Sequence, residues 1–130
     1  MKLPVVLVIE DEPVIGMAID DALTEAGFAV ELVSNSVQAM ALLDGNHELP
    51  QALVSDIRLG DDFSGWDVAR HARELKPGIG VVYVSGDSGD EWQAHGVPGS
   101  VFIQKPFAAA QVVTAVANVV NGVGDGAKTD

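Results

Sequence analysis

The sequence predicts an α/β fold, with a five-stranded parallel sheet covered by helices on both faces. Three observations lead there. Short apolar runs rich in β-branched residues alternate with amphipathic stretches along the chain. The runs are too short for helices and read as strands buried on both faces. Five such strand–helix units follow one another in order, and regular alternation implies parallel strands joined by right-handed crossovers. The length, 130 residues, is that of one domain able to bury a core.

Each element has its own signal. Val5–Ile9 is five consecutive apolar residues and a strand. Val14, Ile15, Ala18, Ile19, Ala22, Leu23 and Ala26 then form the apolar stripe of a helix. Pro13 suits its first position and Gly27 the position past its end. Ala29–Val33 is the second strand, and Ser36–Leu43 a helix stopped by Asp44-Gly45. Ala52–Ser55 is the third strand, followed by a helix over Gly65–Leu75 that closes before Lys76-Pro77-Gly78. Gly80–Val84 is the fourth strand, with a short, weak helix at Ser88–Ala94 ended by His95-Gly96. Val101–Ile103 is the fifth strand, and Ala108–Val120 a helix with Val112, Val113, Val116, Val119 and Val120 on one face. Residues 1–121 thus form one domain, and the Gly-rich stretch 122–130 is expected to be a flexible tail. No internal repeat is present.

Composition excludes several classes. Nineteen acids against seven Lys and Arg give a formal charge of −12. Such a chain is no nucleic-acid or anionic-membrane binder by itself, because phosphate surfaces select a basic face. The absence of cysteine excludes a disulfide scaffold, a thiolate metal site and a cysteine nucleophile. An apolar fraction of 48% separates the acidity from that of a disordered chain. No apolar run approaches the ~20 residues of a membrane span. The first apolar run ends in Glu-Asp-Glu rather than a small-residue cleavage site. A cytoplasmic location is expected.

Ligands of open parallel sheets sit outside the carboxyl ends of the strands. Glu10, Asp11 and Glu12 leave the first strand there, Asp56 the third, Ser85 the fourth, and Lys105-Pro106 the fifth. At ~4 Å, like charges repel by about 1 kcal/mol in water and about 4 at an effective dielectric of 20. A cluster of this kind makes sense around a hard cation, and magnesium commonly bridges one or two carboxylates to a phosphate. Lys105 is a point charge suited to a phosphoryl oxygen, and the Ser85 hydroxyl can bond the same oxygens. The constellation points to phosphoryl chemistry with an aspartate as nucleophile.

Glu10-Asp11, Asp56, Ser85 and Lys105-Pro106, in this order and at these strand ends, resemble the signature of bacterial response-regulator receiver domains. The resemblance spans roughly residues 3–121. It implies a flavodoxin-like, doubly wound sheet with strand order 2-1-3-4-5. It implies that Asp56 is the phosphoacceptor, taking phosphate from a histidine kinase or histidine phosphotransferase of a two-component phosphorelay. Asp11, Asp56 and the backbone carbonyl of Arg58 would ligate magnesium (or manganese), with Glu10 acting largely through water. Lys105 would pair with the phosphoryl group, Ser85 would move to hydrogen-bond it, and Phe102 would be the aromatic switch. The bond before Pro106 would be cis. Output would pass through the face built by the fourth helix, fifth strand and fifth helix, to a protein partner or a second copy in a phosphorylation-dependent homodimer.

The sequence departs from the family in places. The loop after the acceptor reads Ile57-Arg58-Leu59-Gly60-Asp61-Asp62-Phe63-Ser64-Gly65, without the usual Met-Pro, and looks one residue longer. Glu10 stands where Asp is commoner. The segment between Ser85 and Lys105 is short, which bears on the fourth helix and on signalling more than on chemistry. Asp61, Asp62 and Asp67 read as solvated loop or helix-start acids, and His47, His71 and His95 as surface residues without ligand spacing. Trp92 reads as core or as a partner contact. The leading functional expectation is a single-domain receiver that dephosphorylates itself slowly and carries no DNA-binding output domain. A phosphate sink, an unphosphorylated binding module of the same fold, and a fragment of a longer regulator are the other readings. A phosphohydrolase is disfavoured, because Arg58 stands where such enzymes place a second acid for proton transfer.

Overall fold

A computed structural model describes residues 2–45 and 48–122. The expected tail beyond residue 122 and His47 lie outside the described residues. In chain order the elements are β1 (Val5–Ile9), α1 (Pro13–Glu25), β2 (Ala29–Val33), α2 (Ser36–Leu43), β3 (Ala52–Asp56), α3 (Gly65–Leu75), β4 (Gly80–Ser85), α4 (Trp92–His95), β5 (Val101–Gln104) and α5 (Ala109–Val120). The sheet has order β2-β1-β3-β4-β5 with every pair parallel. This is the flavodoxin-like order that the family resemblance implies.

Strand residues alternate between the two faces, and each face collects its own core. Leu7, Ile9, Leu53, Val81 and Tyr83 pack against α2 and α3 through Ala39, Leu43, Trp66, Val68, Ala69 and Ala72. Val6, Val8, Val54, Val82 and Val84 pack against α1 and α5 through Ile19, Leu23, Val112, Ala115 and Val116. The central strands are apolar on both faces because helices cover both.

β3, β4 and β5 each run one residue past the expected strand, to Asp56, Ser85 and Gln104. The parallel ladder carries them there: Asp56 is in register with Val84, and Ser85 with Gln104. Asp56 and Ser85 stay buried there, so the strands carry polar side chains into a buried edge, while Gln104 is exposed. The fourth helix departs from the expected Ser88–Ala94. A 3₁₀ turn at Gly89–Glu91 leads into a single turn at Trp92–His95. Glycine bounds the segment at both ends. A Cβ on Gly96 would strike the Trp92 indole and its carbonyl oxygen, so the chain closes directly on Trp92.

Local chemistry places the loop after β3. Ser64 and Asp67 form a capping box: Ser64 Oγ accepts from the Asp67 amide at 3.2 Å, and Asp67 Oδ2 accepts from the Ser64 amide at 3.0 Å. The Ser64 amide above all, with the Ser64 hydroxyl and the Arg70 guanidinium, holds the Asp67 carboxyl below its usual range. Asp61 is an exposed loop acid, as expected, but it also has a structural role. Its Oδ2 accepts from the Ser36 and Val37 amides at 3.0 and 3.2 Å, capping α2 from 25 residues away. The contact is between distant segments and leaves no local spacing to read. His71 is half-buried rather than a surface residue, with Nε2 2.6 Å from Asp44 Oδ1 at the end of α2.

Gly65 opens α3 directly behind Asp56. A Cβ there would overlap the Asp56 carbonyl oxygen and the Ile57 Cα, both backbone atoms. We expect Gly65→Ala to destabilise the fold by about 1–3 kcal/mol, the usual range for overpacking. Urea denaturation at fixed pH reads this. A variant as stable as the parent would show that the loop yields freely.

Candidate functional site

The parallel register delivers the polar residues to one edge. Ser55 pairs with Ile9 on one side and Tyr83 on the other, and Tyr83 pairs with Phe102. Glu10, Asp56, Ser85 and Lys105 therefore lie at or just past adjacent strand ends. Glu10, Asp56 and Ser85 are buried, while Asp11 and Glu12 are exposed. Ligand oxygens of Glu10, Asp11, Glu12 and Asp56 lie within 4.8 Å of one another. Lys105 reaches over this group. Its Nζ donates to Asp56 Oδ2 at 3.1 Å, to Glu10 Oε2 at 3.3 Å and to Glu12 Oε2 at 3.3 Å. The sequence placed Glu12 in the acidic run but gave no sign of its pairing with Lys105.

Burial pushes the Glu10 carboxyl up to about 7, and the nearby Asp56 charge adds to this. The Glu12 amide, which donates to Glu10 Oε2 at 3.1 Å, and the Lys105 ammonium pull the other way. Burial works against the Lys105 charge, but the Asp56 and Glu10 carboxylates outweigh it and hold its pKa above the ordinary value. Glu10 Oε1 lies 3.2 Å from Lys105 Nζ yet makes no hydrogen bond. A buried carboxylate oxygen without a hydrogen bond, inside an all-oxygen donor set, fits a hard divalent cation.

The other expected residues flank this cluster. The Arg58 amide donates to Asp56 Oδ1 at 3.3 Å. The Ser85 hydroxyl donates to Asp87 Oδ1 at 3.2 Å. The Arg58 side chain donates from Nε to Asp87 Oδ1 and Oδ2 at 3.0 and 2.9 Å. Arg58 and Ser88 hold the Asp87 carboxyl below its usual range. Neither Asp87 nor its ion pair was legible in the sequence, since the partners lie 29 residues apart in exposed loops. Phe102 stands apart from the acids, half-buried, with its ring 6.2 Å from that of Trp92 at 30°. Trp92 is itself half-buried and donates from Nε1 to Ser100 Oγ at 3.0 Å. The Lys105–Pro106 bond is cis.

Residues 6–117 match the family described as the response regulator receiver domain. The chain is 31% identical over 113 residues to the transcriptional regulatory protein CusR of Escherichia coli K12, covering 85% of this chain and 48% of CusR. It is 30% identical over 110 residues to the probable transcriptional regulatory protein TcrX of Mycobacterium tuberculosis, covering 83% of this chain and 46% of TcrX. The chain thus spans about half the length of these curated relatives. Among solved structures, a response regulator receiver protein from Sinorhizobium medicae aligns with a TM-score of 0.89 at 38% identity, covering 92% of this chain and 96% of that one. A CheY-like receiver domain protein from Methanospirillum hungatei shares the fold, with a TM-score of 0.81 at 20% identity over 93% of this chain and 96% of that one.

The Glu10 shift has a sign that can be measured on metal-free protein. Its folded pKa of about 7 lies above the ordinary value of 4.5, so the folded state keeps a proton that the unfolded chain releases. The resulting stabilisation is full below about pH 4.5 and is lost as pH rises through about 7. In chelator-treated samples we expect the stability of the parent to fall, relative to Glu10→Gln, between about pH 5 and pH 8. Parallel pH profiles for the two proteins would remove Glu10 as the titrating group.

Proposed function

The chain belongs to the response regulator receiver domain family, and from that premise we propose that Asp56 is its phosphoacceptor, in a domain spanning residues 1–121. The observation that carries the reading is the Lys105 ammonium, 3.1 Å from Asp56 Oδ2 and shared with Glu10 and Glu12. A cation this close to Asp56 supports the arrival of a phosphoryl group there.

In the proposed reaction an Asp56 carboxylate oxygen attacks the phosphorus of a phosphohistidine on a histidine kinase or histidine phosphotransferase. The P–N bond breaks, its electron pair returns to the imidazole nitrogen, and an acyl phosphate remains on Asp56. Lys105 exchanges carboxylate partners for the new phosphoryl oxygens, which stabilises charge where it develops. Ser85 supplies a hydroxyl to the same oxygens. Asp11, Asp56 and the Arg58 carbonyl, with Glu10 through water, are the residues that would hold magnesium. When bound, magnesium neutralises phosphoryl charge and relieves the repulsion among the acids.

Arg58 occupies the place of a proton-transferring acid, so hydrolysis of the acyl phosphate is slow and the domain acts as a switch rather than a turnover enzyme. Output passes through α4, β5 and α5 to a protein partner, or to a second copy of the chain. No described helix is long and apolar enough to cross a membrane. The proposed setting is the cytoplasm, where histidine kinases present their phosphohistidine.

Two measurements test this. With magnesium and acetyl phosphate we expect intact-mass spectrometry to show the addition of one phosphoryl group, and Asp56→Asn to abolish it. Addition to the Asn variant, or none to the parent, would refute the assignment, the latter in favour of an unphosphorylated binding module. Magnesium at a hundredfold excess over its dissociation constant should stabilise the fold by about 2.7 kcal/mol. We expect Asp11→Asn to abolish the accompanying rise in melting temperature. An equal rise in both proteins would place the metal elsewhere.

A further inference from the structure

We propose that Asp87 is a positioning residue that holds the Ser85 hydroxyl away from the phosphoryl site, with Arg58 keeping Asp87 in place. The proposal rests on the phosphoacceptor reading of Asp56. Ser85 is 1% exposed, and its single hydroxyl proton is directed to Asp87 Oδ1 at 3.2 Å. The Asp87 amide donates back to Ser85 Oγ at 3.4 Å, closing a small ring. A hydroxyl has one proton to give. While Asp87 takes it, a phosphoryl oxygen on Asp56 cannot.

Asp87 is fixed by more than Ser85. Ser88 Oγ donates to Oδ1 at 3.0 Å, and Arg58 Nε contacts both carboxylate oxygens. Arg58 is anchored in turn by its backbone N–H, which donates to Asp56 Oδ1, and by Glu91 Oε2 at 3.8 Å. The contact therefore joins the loop after the acceptor to the loop after Ser85. The Arg58 and Asp87 side chains are 61% and 63% exposed, and a pair so exposed adds little to the fold. It can open at small cost. A phosphoryl group on Asp56 would bring negative charge to this mouth, attracting Arg58 and repelling Asp87. Both effects release the Ser85 hydroxyl.

Beryllofluoride with magnesium is the probe, its affinity read by calorimetry in the parent, Asp87→Ala, Ser85→Ala and the double variant. Removing Asp87 tightens anion binding through charge in any background, so the informative quantity is the difference between backgrounds. We expect Asp87→Ala to tighten binding about fivefold more when Ser85 is present than in the Ser85→Ala background, the effect of about one hydrogen bond. Replacing Asp87→Ala by Arg58→Ala in the cycle should give a smaller coupling of the same sign. An equal effect of Asp87→Ala in both backgrounds, with the parent binding the probe, would overturn the positioning role while leaving the acceptor intact. A parent that does not bind beryllofluoride, or an Asp56→Asn variant that binds it equally well, would overturn the reading of Asp56 and the positioning role with it.

Discussion

A single ammonium group shared among three carboxylates sets the terms for this molecule. Parallel strands end at one edge, so a sheet with acids after β1 and β3 must bring them together. Glu10 and Asp56 are both buried there, where repulsion at ~4 Å would reach about 4 kcal/mol even at an effective dielectric of 20. Lys105, delivered by the edge strand β5, offsets part of that repulsion. The offset is incomplete: Glu10 still titrates near 7, and one of its oxygens takes no hydrogen bond. The site is left with an unmet demand for positive charge, which gives a hard cation a reason to bind and an arriving phosphoryl group a cation to meet.

The two halves of the edge are held by different chemistry. The acidic half, at the ends of β1, β3 and β5, is centred on the buried Glu10 and Asp56 and governed by charge. The half after β4 is a hydroxyl ring closed by exposed side chains, and it leads through a 3₁₀ turn into a helix of four residues. A segment with so few internal hydrogen bonds is held by its contacts with neighbours. Here those are the Trp92 stacking on Phe102 and the Trp92–Ser100 bond. Rearrangement is inexpensive on that side and costly on the other.

Much of this was legible in the sequence, and the parts that were not share a cause. Strand runs such as Val5–Ile9 and Val101–Ile103 announce themselves by composition. The crossover rule then fixes which ends meet, so the sequence alone groups Glu10, Asp56 and Lys105. Asp61 capping α2, Arg58 pairing with Asp87 and Glu12 bonding to Lys105 could not. Each depends on where a loop side chain lands after the fold has formed, and no periodicity encodes that. The fourth helix keeps the expected end at His95-Gly96, and what composition did not show is that its first turn is 3₁₀. Its end is set by the close approach of Gly96 to Trp92, a steric fact of the folded chain.

The tryptophans divide the molecule optically. The chain has two, Trp66 and Trp92. Trp66 is 7% exposed and lies edge-on to Tyr83, with ring centroids 4.7 Å apart. Trp92 packs at the margin of the same core, half-exposed, its indole N–H engaged by Ser100. Their excited states therefore report on different surroundings: Trp66 emits from an apolar, quencher-shielded interior, and Trp92 from a polar, accessible surface. Fluorescence from this protein is a sum of two populations, one tied to the integrity of the core and the other to the conformation beside Phe102. A soluble quencher separates them without any label being introduced.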